Sequence, residues 1–189
     1  ITSTPIPVAM NTRHTWSRRR FLSAGVAVYA SVQVLPGRVL GLDGNKPANS
    51  RLNLAGVGVG GQGFGDINQF KDDNIAALCD VDDHYAAKAF EKFPTARRWR
   101  DYRRMLEEQK DLDGVVVATP DHLHACVSMH AMRLGKHVYC EKPLTHSVWE
   151  AAQLTAAARR FKVVTQMGNQ GQATDATRRL CELVWHGAI

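Results

Sequence analysis

The eight residues "GVGVGGQG" at 56–63 constrain the fold more than any other stretch of the chain. They set Gly58, Gly60 and Gly63 in a G-x-G-x-x-G pattern. The short apolar run "RLNLAGVG" (51–58) precedes it, and "FGDINQF" follows, with Phe64, Ile67 and Phe70 at helical spacing. Alone, the pattern also describes a plain glycine-rich turn. Between a strand and a helix it describes something narrower. The first glycine permits the tight turn. The second lets the backbone approach a pyrophosphate, and the third lets helix and strand pack closely. The helix N-terminus beyond offers free N–H groups and the positive end of its dipole to phosphates. No G-K-[ST] follows, which excludes a P-loop.

The rest of the chain repeats this strand-and-helix unit. "NIAALCD" (74–80) reads as a second strand, and "HYAAKAFEKF" (84–93) as a helix stopped by Pro94. "RRWR" (97–100) is a weak third strand, with a short helix over 102–110. "DGVVVAT" (113–119) is the clearest strand, and its continuous valines imply burial on both faces. A helix from His122 to Leu134 stops at Gly135. "KHVYCE", "SVWEAAQLTAAARRF" and "KVVTQMG" supply strand, helix and strand. Six strands joined by helices predict an α/β doubly wound parallel sheet, the Rossmann fold, over residues 51–168.

Within that frame Asp80 ends the second strand, where a carboxylate accepts hydrogen bonds from ribose hydroxyls and repels a 2′-phosphate. Residues 81–87 hold no Lys or Arg. The expected cofactor is therefore NAD rather than NADP.

The formal net charge of +6 suggests nucleic acid at first sight. Of the 24 basic residues, five arginines lie in the first 42 positions, which hold no Asp or Glu; the remainder sets 19 basic against 18 acidic residues. No nucleic-acid partner is expected, and "ARRWRDYRR" (96–104) reads as a solvated edge strand and helix start. Ser17-Arg18-Arg19-Arg20-Phe21-Leu22 stands before a mildly apolar run that is too short and polar for a membrane span. It resembles a twin-arginine export signal, a receptor-read address over 1–42 that leads to the periplasm. The alternative is a disordered basic N-terminus. Residues 43–50 read as a linker. Cys79, Cys126, Cys140 and Cys181 form no C-x-x-C pair and read as buried core residues, not a metal site or disulfide framework.

Two further motifs, "ATPDHLHA" (118–125) and "CEKPLTHSVWEA" (140–151), follow the glycine pattern in order. Together the three resemble the glucose–fructose oxidoreductase, inositol dehydrogenase and rhizopine-catabolism family over residues 51–189. The resemblance implies that Thr119 and Pro120 line the cofactor, with His122 and His124 beside them. It implies that Glu141 contacts the nicotinamide side, that Lys142 reaches nicotinamide ribose and substrate hydroxyl, and that Pro143, often cis, fixes the turn. For His122 and His124 a capping or packing role stays open, and two histidines at i, i+2 without a third ligand predict no metal.

Oxidising a sugar alcohol removes a hydride from carbon and a proton from oxygen, so a group within reach of the hydroxyl must take the proton. Lys142, at the carboxyl end of a strand, is the expected catalytic residue. The resemblance places residues 169–189 at the start of a second, α+β substrate domain, truncated here, so the piece alone is expected to bind NAD without turnover. The expected protein is an exported NAD-dependent oxidoreductase acting on a carbohydrate, a homo-oligomer when full length. The alternatives are an NAD-retaining glycosidase of the same family and a non-catalytic nucleotide-binding module. A twin-arginine route carries folded proteins, so it would let the enzyme leave with its cofactor already bound.

Overall fold

The computed structural model describes residues 46–188. The export signal expected over 1–42 and the start of the linker lie outside the described residues.

Six strands form one sheet: β1 (Asn53–Val57), β2 (Asn74–Cys79), β3 (Arg97–Trp99), β4 (Gly114–Val117), β5 (His137–Glu141) and β6 (Thr165–Gly168). Every neighbouring pair is parallel, in the order β3-β2-β1-β4-β5-β6. Among the described residues six α-helices accompany them: α1 (Gly61–Gln69), α2 (Ala87–Lys92), α3 (Tyr102–Glu108), α4 (Asp121–Arg133), α5 (Val148–Phe161) and α6 (Asp175–Trp185). The doubly wound parallel sheet is the one the sequence predicts. Strand order reverses between β1 and β4, which opens a crevice at their carboxyl ends.

The valine run of β4 shows why the sheet needs two helical layers. Val115 and Val117 enter one core with Val57, Cys140, Met105, Val127 and Leu154. Val116 points to the other face, with Leu54, Leu78, Ile67 and Phe90. Alternation along a strand sends neighbours to opposite faces, so only cover on both sides removes all three from water. Burying each valine contributes about 1.5–3 kcal/mol.

Local signals set the helix ends. Gly135 takes φ +73 and closes α4. Ser147 and Glu150 form a reciprocal capping box that starts α5 directly after the Glu-Lys-Pro turn. The sixth strand begins at Thr165 rather than at Lys162. Lys162 turns left-handed at φ 54, and the Val163 N–H donates back to the Ala158 carbonyl. The second helix is shorter than expected, because residues 83–86 form turns before it. Helix α6 starts at Asp175, where Thr174 accepts the Thr177 N–H.

The arginine cluster is an edge strand and helix start, as expected. Arg97 pairs with Glu108, Arg100 with Asp83 and Arg103 with Asp101. One expectation about the cysteines is corrected. Cys79 and Cys140 are buried, and burial pushes the Cys79 thiol up to about 12. Cys126 is exposed on the side of α4 away from its buried residues, and Cys181 is exposed because α6 buries none of its residues. No described helix is long and apolar enough to cross a membrane.

Candidate functional site

The glycine turn sits at the carboxyl end of β1 and is closed by contacts that only glycine permits. Gly58 has φ +75, and a Cβ there would lie 2.7 Å from the Ala118 carbonyl oxygen at the end of β4. A Cβ on Gly63 would strike the Gly58 carbonyl. Gly60 caps α1 without a side-chain partner and its carbonyl accepts the Gly63 N–H, which leaves the N–H groups of Gly61 and Gln62 to an anion. Bare backbone at a helix N-terminus, beside the strand-order reversal, fits a dinucleotide pyrophosphate.

Asp80 emerges at the end of β2 and faces this turn. Its Oδ2 accepts the Val59 N–H at 2.8 Å, and its Oδ1 accepts the Asp82 N–H at 3.0 Å. Tyr85, which sequence reasoning missed, lays its ring against Gly60 and Gly61. Arg100 reaches the same neighbourhood from the end of β3 and is held by Asp83 at 2.8 Å.

Across the crevice, Thr119 is half-buried and Pro120 precedes α4. Thr119 Oγ1 is buried without a hydrogen-bond partner. His122 is exposed on the first turn of α4. His124 is 1% exposed. Its Nδ1 lies 2.7 Å from the Pro143 carbonyl oxygen and its Nε2 lies 2.7 Å from that of Thr119. Both ring nitrogens thus lie at carbonyls, which fits the packing role left open for His124: a brace between two loops. The adjacent Cys140 side chain does most to raise its pKa, burial opposes it, and the two carbonyls add, bringing it to about 9.

The Glu-Lys-Pro turn ends β5, with a cis bond between Lys142 and Pro143. Lys142 is exposed at the strand end, and Glu141 beside it is only 4% exposed. Glu141 Oε2 accepts the Lys142 N–H at 3.1 Å, and Oε1 accepts Gln170 Nε2 at 3.1 Å. Tyr139 donates its hydroxyl to Gln170 Oε1 at 3.2 Å. Asp66, on α1, is also buried; burial and then the neighbouring Glu141 raise its pKa, while Gln62 lowers it. Sequence reasoning missed Asp66, Tyr139 and Gln170. The available signal was a carboxylate on the buried stripe of α1, one residue before Ile67.

Gly58, Gly60, Gly63, Asp80, Thr119, Pro120, Glu141 and Lys142 thus share the carboxyl edge of one sheet. A groove of about 700 Å³ lies elsewhere, on the face of α3, α4 and α5, and includes Tyr102, Cys126, His130 and Trp149. It contains none of the residues at the glycine turn. Among the described residues no three His, Cys, Asp or Glu side chains converge as a metal site.

Residues 51–169 match the profile of an oxidoreductase family with an NAD-binding Rossmann fold. The chain belongs to this family. It is the glucose–fructose oxidoreductase, inositol dehydrogenase and rhizopine-catabolism family that the three motifs resemble, and its cofactor is NAD. A levoglucosan dehydrogenase of Pseudarthrobacter phenanthrenivorans is 29% identical, over 59% of this chain and 28% of its own length. An α-N-acetylgalactosaminidase of Shewanella oneidensis is 30% identical, over 78% of this chain and 38% of its own. The scyllo-inositol dehydrogenase of Lactobacillus casei, solved with NAD(H) and scyllo-inositol, shares the fold at a TM-score of 0.65. That similarity runs at 21% identity over 74% of this chain and 42% of that one. The chain therefore spans less than half the length of these relatives.

Proposed function

We propose that this chain is the NAD-binding part of an oxidoreductase that moves a hydride between nicotinamide and a hydroxyl-bearing carbon of a sugar, polyol or related carbohydrate. The observation that carries the reading is the Glu141-Lys142-Pro143 turn at the carboxyl end of β5, across the strand-order reversal from the glycine turn. Ligands of open α/β sheets bind at that place. The glycine turn holds the pyrophosphate, and Asp80 accepts from the ribose hydroxyls and disfavours a 2′-phosphate. Thr119, Pro120 and His122 border the cofactor, and Glu141 borders its nicotinamide end. Bound NAD supplies the hydride acceptor. Lys142 takes the proton from the substrate hydroxyl as the carbon–hydrogen bond is lost.

The α-N-acetylgalactosaminidase relative favours a second reading, because it aligns with more of this chain than the levoglucosan dehydrogenase does. There, transient oxidation and re-reduction of one sugar would cleave a glycosidic bond. Residues 17–22 support an exported, periplasmic protein that acquires its cofactor before export, and we propose that the full-length protein works as a homo-oligomer. Assay of the full-length protein with anhydrosugars, polyols and aryl N-acetylgalactosaminides separates the two readings. Net NADH formation supports the dehydrogenase. Released sugar without net NADH supports the glycosidase. NAD binding with neither overturns both in favour of a non-catalytic module.

A further inference from the structure

Two buried carboxyl groups meet beneath the Glu-Lys-Pro turn. Asp66 is 6% exposed and Glu141 is 4% exposed, and Glu141 is the neighbouring carboxyl that raises the Asp66 pKa after burial. Two carboxylates cannot hydrogen-bond to each other, since each is an acceptor only. A hydrogen bond between them requires that one hold a proton.

The surrounding donors decide which. Glu141 accepts an N–H on each oxygen, from Lys142 on Oε2 and from Gln170 on Oε1. Asp66 accepts on one oxygen only, from Gln62 Nε2 to Oδ1 at 2.7 Å. Its Oδ2 is buried and receives no donor. A proton on Oδ2 turns that orphan acceptor into a donor and satisfies every polar atom of the pair. A proton on Glu141 would instead crowd an oxygen that already accepts an N–H.

We infer that Asp66 is a positioning residue: as a neutral carboxylic acid it donates from Oδ2 to Glu141 and fastens helix α1 of the glycine turn to the Glu141–Lys142 turn. The hydrogen bonds then run without a break. Gln62 and Asp66 belong to the helix that faces the cofactor pyrophosphate, Glu141 adjoins Lys142, and Gln170 continues to the Tyr139 hydroxyl beyond β6. A side chain at Gly168 would strike Glu141 Oε1, so the pair is also walled in from β6. The part of this inference that concerns NAD rests on the function proposed above; the carboxyl pair does not.

Burial, and after it the Glu141 charge, raise the Asp66 pKa, while Gln62 lowers it. The titratable groups facing Asp66 from β5 are Glu141, whose charge opposes a charge on Asp66, and the Tyr139 phenol, whose own pKa is raised by burial and then by Asp66 and Glu141. A raised acid pKa means that the neutral form belongs to the folded state. Its contribution is complete below the ordinary carboxylate range and is lost as pH rises through the raised value. Above it, two carboxylates face one another and the link from α1 to Lys142 opens.

The test uses the whole chain, with carboxyl carbon-13 NMR and NADH fluorescence titration across pH. Asp66→Asn keeps both hydrogen bonds, because its amide oxygen accepts from Gln62 and its NH₂ donates to Glu141, but it cannot ionise. We expect one Asp carboxyl signal, absent in Asp66→Asn, to titrate well above the other Asp signals and to move down in Glu141→Gln. We expect wild-type NADH affinity to weaken several-fold at high pH, Asp66→Asn to hold its low-pH affinity throughout, and Asp66→Ala to bind weakly at every pH. An Asp66 signal that titrates with the exposed Asp residues overturns the inference. So does a high-pH weakening that survives unchanged in Asp66→Asn. Failure of NADH to bind at any pH, with the Asp66 signal shifted as expected, counts against the proposed function and upholds the carboxyl pair.

Discussion

The Nδ1 atom of His124 lies 2.7 Å from the carbonyl oxygen of Pro143. Its other nitrogen is 2.7 Å from the Thr119 carbonyl oxygen. Carbonyls only accept, so both ring nitrogens must donate, and only the imidazolium does so. A neutral ring would set one nitrogen lone pair against a carbonyl. The brace is therefore a buried cation that ties the loop after β4 to the Glu-Lys-Pro turn after β5.

From this follows a pH dependence of stability. The folded pKa is raised to about 9 from the usual 6.5. The contribution is complete below the unfolded value and disappears as pH rises through about 9. Urea unfolding of the chain should show its midpoint falling across that window. His124→Phe should be less stable by about 1–3 kcal/mol, because two part-buried carbonyls lose their donor. Its midpoint should also lose this component of the pH dependence. An unchanged slope in the variant would assign the effect to another group.

The glycines separate into required and replaceable ones. Gly63→Ala drives its methyl into the Gly58 carbonyl, so the turn must open. The expected loss is about 2–4 kcal/mol in stability, from overpacking against backbone, together with loss of NAD binding. Gly65, two residues on in α1, meets nothing within 4 Å. Gly65→Ala should leave NAD affinity alone and raise stability by about 0.5–1 kcal/mol, the helical preference of alanine over glycine. Thermal unfolding and NAD titration of the two variants check both halves.

Cofactor choice should turn on Asp80. Its oxygens already fix the Val59 and Asp82 N–H groups, which aims the carboxylate at the crevice. A 2′-phosphate placed there meets a like charge. Wild type should bind NAD at least tenfold more tightly than NADP, a gap of about 1.4 kcal/mol. Asp80→Ala should narrow that gap from both sides, weakening NAD and admitting NADP, with Arg100 close enough to Asp83 to be recruited. Equal affinities in the wild type would remove the carboxylate argument.

How much of this was legible differs from residue to residue. Val115, Val116 and Val117 announce a two-sided strand because burial on both faces leaves no room for polar residues. The glycine turn is legible because each glycine answers a local geometric demand. His124 is not: its acceptors are main-chain carbonyls, one of them 19 residues away, and any residue type could have carried them. The Asp66–Glu141 pair is hidden for a related reason. One partner follows β1 and the other ends β5, and only the strand order, with α1 packed across the sheet, brings them together. Cys126 misled because an apolar neighbourhood in sequence does not say which side of α4 faces the sheet.

Lys142 carries the heaviest claim about chemistry. It stands exposed at the end of β5, while its own N–H is held by Glu141. The turn thus fixes the backbone and leaves the ammonium stem to reach the substrate. In the full-length protein, Lys142→Met should keep most NAD affinity, because the glycine turn and Asp80 are untouched. Turnover should fall by roughly 10²-fold or more, as expected when a positioned proton acceptor is removed. Lys142→Arg should fail as well, since a guanidinium stays charged and cannot accept a proton. The measurement is single-turnover NADH formation on a confirmed substrate, alongside NAD affinity. Near-normal rates in Lys142→Met would make the lysine a bystander. Lost NAD binding in both variants would make it a cofactor anchor instead.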